Sequence, residues 1–148
     1  MTRLALLLGI GIAAGASIAV QSIINAALGR RTGNLGSALI VTIISIAFVT
    51  LLILIFPSQA DFHDLPRPSE WYLYLGGILG ILIVLAPILL VPRIGATTTL
   101  AAIVVGQLVT ALLIDQFGLF GMPKIEITAA RVIGLVLLLA GAFLLRPG

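Results

Sequence analysis

Residues 4–28 read LALLLGIGIAAGASIAVQSIINAAL, 25 residues without a single charge. At about 1.5 Å of rise per residue such a helix reaches roughly 37 Å, enough to cross a hydrocarbon core of ~30 Å. The run is also longer than the apolar stretch of a secretory signal, so it is expected to persist as a first helix. Similar runs recur outward from it, at about 36–56, 71–91, 96–114 and 127–145. Gly29-Arg30-Arg31-Thr32-Gly33-Asn34 ends the first run and Pro57 stops the second. Residues 57–70 form the only sizeable polar loop, and Trp71-Tyr72-Leu73-Tyr74 opens the third run with aromatics suited to headgroup level. Pro92-Arg93-Ile94-Gly95 makes a tight connection, and Phe117 to Pro123 is a short exit rich in breakers. The reading is an all-α, polytopic membrane protein, a bundle of five transmembrane helices in one membrane domain over 1–148.

The fifth span is the least regular. Only 14 uncharged residues lie between Arg131 and Arg146, about 21 Å of helix against a core of ~30 Å. The span must therefore start near Ile127 and carry Arg131 with it, either snorkelling to the interface or facing protein. Four helices and a half-inserted segment is the alternative arrangement.

Composition agrees with a membrane chain. Of 148 residues 61% are hydrophobic and 9% charged, whereas a soluble domain carries about 25% charged residues. The net charge of +3 comes from eight scattered basic residues, not from a clustered patch, so nucleic acid is not an expected partner. Without cysteine there can be no disulfide, thiolate metal site or Cys nucleophile. His63 alone cannot build a metal site, and Asp61, His63 and Asp64 read as solvated loop residues. No phosphate-cradling loop and no Ser-His-Asp set is present. The expectation is a protein that is not an enzyme and takes no cofactor.

Five crossings put Arg3, Arg67, Lys124 and Arg131 on one side and Arg30, Arg31, Arg93 and Arg146 on the other. Orientation follows the excess of Lys and Arg near the spans, and here the count is tied. Two readings stay open: a single orientation set by other factors, or dual insertion giving antiparallel pairs.

Inside the spans, polar residues mark the candidate sites. Helix 1 repeats small or polar residues every fourth position: Gly9, Ala13, Ser17, Gln21, Asn25 and Gly29, with Gly11 and Gly15 beside them. The small members read as a close-packing seam. Gln21 and Asn25 differ, because an amide in hydrocarbon is costly unless it meets protein or water; they are either interhelical bonds or substrate contacts. Helix 4 carries Gly95, Thr99, Gln107, Ala111 and Asp115 at the same spacing, interrupted only by Ile103. Gln107 lies near mid-helix, and Asp115 is either an interfacial carboxylate or a cation-binding group inside the assembly. Thr42 and Ser45 can bond to their own backbone, Gly76, Gly77 and Gly80 offer another packing face, and Pro87 is a potential kink.

Several of these pieces together resemble the YdcZ-like family, small five-helix proteins of the drug/metabolite transporter superfamily. The matching elements are Gln21-x3-Asn25-x-x-Leu28-Gly29, Leu75-Gly76-Gly77-x-x-Gly80 and Val91-Pro92-Arg93-Ile94-Gly95-Ala96. Gly106-Gln107-Leu108, Asp115-x-Phe117-Gly118 and Arg131-x-x-Gly134 complete the set, with Gln116 where histidine would be expected. The resemblance implies a multi-pass protein of the bacterial inner membrane that transports small solutes. It also implies half of an inverted-repeat transporter, so that a homodimer or paired heterodimer would enclose the path. Related small multidrug transporters use a glutamate in their first helix; helix 1 here has no carboxylate, so proton-coupled export of cationic drugs does not carry over. Neutral or amphipathic metabolites fit the residues better. On this reading Ser17, Gln21, Asn25 and Gln107 bind substrate, and Asp115 and Arg131 serve coupling or gating. The rival is a non-transporting membrane scaffold or accessory subunit whose amides only lock helices together.

Overall fold

The computed structural model describes residues 2–145; Arg146, and the side chain of Arg3, lie outside the described part. Five α-helices form, and no strand occurs among the described residues: α1 (Thr2–Thr32), α2 (Asn34–Ile55), α3 (Leu75–Ile94), α4 (Ala96–Phe117) and α5 (Ala129–Leu144). The spans Leu4–Thr32, Asn34–Ile55, Pro68–Ile94 and Ala96–Phe117 are long and apolar enough to cross a membrane. At 16 residues α5 is about 24 Å long, the shortest of the five. The chain thus has four to five membrane-spanning helices. Large apolar side chains point outward along all of them, with Ile12 74% and Leu54 75% exposed. A soluble protein does not tolerate contiguous apolar surface on this scale, so hydrocarbon is the solvent of these faces.

The helix limits depart from the expected ones for local reasons. Helix 1 continues through Arg30 and Arg31, whose charges complement the negative end of the helix dipole. It breaks only at Gly33, which separates it from α2 by one residue. Residues 71–74, expected as the start of helix 3, instead belong to a 3-10 turn over Pro68–Tyr74 opened by Pro68. The Glu70 carboxylate accepts from the Arg67 N–H at 2.9 Å, and the Tyr74 hydroxyl donates to the Pro66 carbonyl at 3.2 Å. Beyond this, α3 runs unbroken through Pro87 and Pro92. Helix 4 ends at Gly118, whose left-handed conformation (φ 60°) suits a residue without Cβ. Helix 5 starts at Ala129 because the Thr128 hydroxyl caps it, accepting from the Arg131 N–H at 3.4 Å.

Two compact units divide the chain, Met1–Leu89 and Leu90–Gly148, with the division inside α3. In the first, α1 and α2 form a hairpin whose burial concentrates at the turn end. Asn25, Ala26, Gly29, Ser37 and Ala38 are buried there. The Ser37 hydroxyl, fully buried, donates to the Asn25 carbonyl at 2.9 Å. Small residues let the backbones approach, and the hydroxyl replaces the water that hydrocarbon does not supply. Ile88 of α3, 1% exposed, presses on the same point: a Cβ at Gly29 would lie 2.7 Å from its Cγ2. By contrast, residues 4–18 of α1 are exposed throughout, and a Cβ added at Gly9, Gly11 or Gly15 would meet nothing within 4 Å. The seam read from the sequence packs within the chain only at its Gly29 end.

In the second unit α4 and α5 pack as an antiparallel hairpin tied at both ends. At one end the Thr98 hydroxyl donates to the Leu145 carbonyl at 3.3 Å. At the other, residues 122–128 fold back without helix: the Ile125 N–H donates to the Asp115 carbonyl at 2.8 Å and the Ile127 N–H to Gln116 Oε1 at 2.7 Å.

Gly29→Ala should lower stability by about 1–3 kcal/mol through overpacking against Ile88. In detergent-solubilised protein the thermal midpoint should fall, and the double variant with Ile88→Ala should lose less than the two single losses added. Strict additivity would mean that Gly29 and Ile88 do not meet.

Candidate functional site

The polar residues predicted from the sequence fall on two faces, one in each unit. Along α1, Ser17, Gln21 and Asn25 recur every fourth residue and so share one side of the helix. Together with Ala16, Val20 and Ile24 they form an open groove along that side. Ser17 spends its hydroxyl proton on its own helix, donating to the Ala13 carbonyl at 3.0 Å. Gln21 is exposed, whereas Asn25 is 5% exposed at the Ser37 contact. The face is therefore graded, from an accessible amide at Gln21 to a largely enclosed one at Asn25.

The second face belongs to the α4–α5 hairpin. Asp115, in the last turn of α4, and Arg131, in the first turn of α5, form an ion pair, with Arg131 Nη1 donating to Asp115 Oδ2 at 3.1 Å. Their side chains remain 32% and 36% exposed, respectively. The pair explains how a short fifth helix tolerates an arginine: Arg131 is compensated by the neighbouring helix instead of reaching for the interface alone. Asp115 and Arg131 close one end of a cavity of about 290 Å³ whose walls include Leu108, Leu112, Leu135 and Leu138. Gln107, exposed on α4, is not part of that lining. Among the described residues no group of His, Asp and Glu could hold a metal ion.

Sequence reading picked out Asp115 and Arg131 separately but not as partners. The available signal was an acid and a base on either side of the turn of one short hairpin. Gln116 has no role legible in the sequence, yet its side-chain oxygen anchors the segment leading into α5. Ser22 and Ser37, both buried, were passed over because a lone serine in an apolar run carries no periodic mark.

The family described as "Putative inner membrane exporter, YdcZ" matches residues 6–144. The "Inner membrane protein YdcZ" of Escherichia coli (strain K12) is 28% identical over 134 residues, covering 90% of this chain and 89% of that protein. No solved structure matches.

The ion pair makes a stability prediction. Asp115→Asn leaves a half-buried guanidinium without its carboxylate, and Arg131→Gln does the reverse; each should lower the thermal midpoint in detergent. The charge swap Asp115→Arg with Arg131→Asp should recover part of the loss, with a coupling of about 1 kcal/mol for a pair of this exposure. A swap no better than the sum of the singles would show that the two charges do not interact.

Proposed function

Because the chain belongs to the YdcZ family of multi-pass inner membrane transporters, we propose that it moves small solutes by alternating access as a dimer. The observation that carries this is the exposed amide face of α1. Gln21 lies exposed in an open groove on one face of α1, a helix whose other exposed residues are almost all apolar. Gln107 is likewise exposed on α4. An amide facing lipid loses its hydrogen bonds at a cost of several kcal/mol, about 4–8 on a water-to-cyclohexane scale. Both amides therefore need water or protein in front of them. A water-filled path walled by a second copy supplies both.

On this reading Ser17, Gln21, Asn25 and Gln107 contact the substrate, and the Asp115–Arg131 pair gates its passage. Amide and hydroxyl groups suit neutral or amphipathic metabolites, since they offer donors and acceptors without net charge. The unused small-residue seam at Gly9, Gly11 and Gly15 is available to the second copy. The even division of basic residues favours pairing of oppositely inserted copies.

Two measurements test the proposal. In proteoliposomes, counterflow of neutral and amphipathic metabolites should fall roughly tenfold or more in Gln21→Ala and Gln107→Ala, while chemical crosslinking still captures the dimer. Normal transport by both variants would remove these amides from the path. For orientation, a Ser58→Cys variant of this cysteine-free chain should label from both faces of intact membranes; labelling from one face alone would rule out antiparallel pairs.

A further inference from the structure

The cavity between α4 and α5 is more selective in its chemistry than the α1 face. Its charged end carries one cation and one anion, Arg131 and Asp115, and is neutral as a whole. They meet through a single contact, Nη1 to Oδ2 at 3.1 Å. A guanidinium has five N–H donors and a carboxylate two acceptor oxygens, so each has more bonding capacity than this contact uses. Below the pair the walls are apolar on both helices. Leu108 stands seven residues before Asp115 and Leu138 seven residues after Arg131, a depth of about 10 Å on each side. Gly134, one turn beyond Arg131, leaves the wall open, since a Cβ there would meet nothing within 4 Å.

Building on the transport reading, we infer that this cavity binds a zwitterion with an apolar tail, its ammonium on Asp115, its oxyanion on Arg131 and its tail between the leucines. Charge decides against the simpler ligands. An anion alone would capture Arg131 and leave the Asp115 carboxylate, about one-third exposed, without its countercharge, and a cation would do the same to Arg131. A ligand with both charges exchanges one neutral pairing for two and strands neither. The volume, about 290 Å³, lies at the lower end for small-molecule sites and fits a single short tail. Two sources share this chemistry: a free amphipathic amino acid and the headgroup end of a zwitterionic phospholipid.

The test uses the full chain in nanodiscs of phosphatidylglycerol, with 2-aminooctanoate as the zwitterionic probe and equilibrium dialysis as the readout. Its N-acetyl derivative, an anion, and its methyl ester, a cation, should bind at least roughly tenfold more weakly. Gly134→Leu, which fills the cavity without touching the ion pair, should abolish binding while the thermal midpoint is kept. Asp115→Asn and Arg131→Gln should each lose the preference for the zwitterion. Equal binding of the ester or the N-acetyl derivative would overturn the inference, as would undiminished binding by Gly134→Leu. Repeating the measurement in phosphatidylethanolamine discs separates the sources: weakened probe binding identifies the lipid headgroup as the occupant, and unchanged binding the free zwitterion. A protein that binds the probe but does not carry it across proteoliposomes keeps the site and loses the transport reading. One that transports other solutes and never binds the probe loses this inference alone.

Discussion

Every polar group within hydrocarbon must find its partner inside the protein, and this constraint organises the chain more than any apolar contact does. Burial of hydrophobic side chains is slight: of the described residues only Ala26, Ala38, Pro87 and Ile88 form a buried apolar core. Several hydroxyls, by contrast, are engaged. Ser17, Thr42 and Thr99 each donate to the carbonyl four residues back in their own helix. Ser37 and Thr98 reach across to neighbouring helices instead. No buried side-chain nitrogen or oxygen lacks a partner among the described residues. Lipid tails are as apolar as leucine, so burying leucine against leucine gains little there; small residues and polar links hold the two hairpins.

The same constraint explains which parts of the fold were legible in the sequence. Apolar length follows from bilayer thickness, so the helices could be read from residues 4–28 and the runs after it. Where the chain leaves hydrocarbon, hydropathy says little. Helix 1 therefore continued past Leu28 to Thr32, and helix 4 past Ile114 to Phe117, because nothing in those polar turns forbids a helix before Gly33 and Gly118. The reverse happened at Trp71, where apolar aromatics belong to a 3-10 turn whose geometry comes from Pro68 and Glu70. Those are local bonds, and no periodicity announces them.

Site residues were legible by type and not by partnership. Gln21 and Asn25 were conspicuous because amides are rare in apolar runs, and their spacing alone put them on one face. Asp115 and Arg131 were conspicuous for the same reason, yet their distance of 16 residues hides their contact. What brings them together is the tight return after Gly118, where the Ile125 and Ile127 N–H groups fasten residues 122–128 onto the end of α4. That segment is short and irregular, and hydropathy is blind to it. The arginine that made the fifth helix hard to place is the group that the return positions.

The two hairpins satisfy their polar groups differently, and the difference bears on what the chain lacks. In the α4–α5 hairpin the charges neutralise each other within a single unit. On α1 the carbonyl of buried Asn25 is bonded by Ser37 near Gly29, but Gln21 stays exposed and a Cβ on the glycines before it would meet nothing within 4 Å. A helix that exposes an amide and a glycine seam to hydrocarbon has neither hydrogen bonds nor close packing on that side. Charge compensation is thus internal to one chain, whereas amide solvation and helix packing on α1 are not. In the proposed function the first is a gate that each copy carries for itself. The second calls for a surface beyond the α1–α2 hairpin, and in the proposed dimer a second copy provides it.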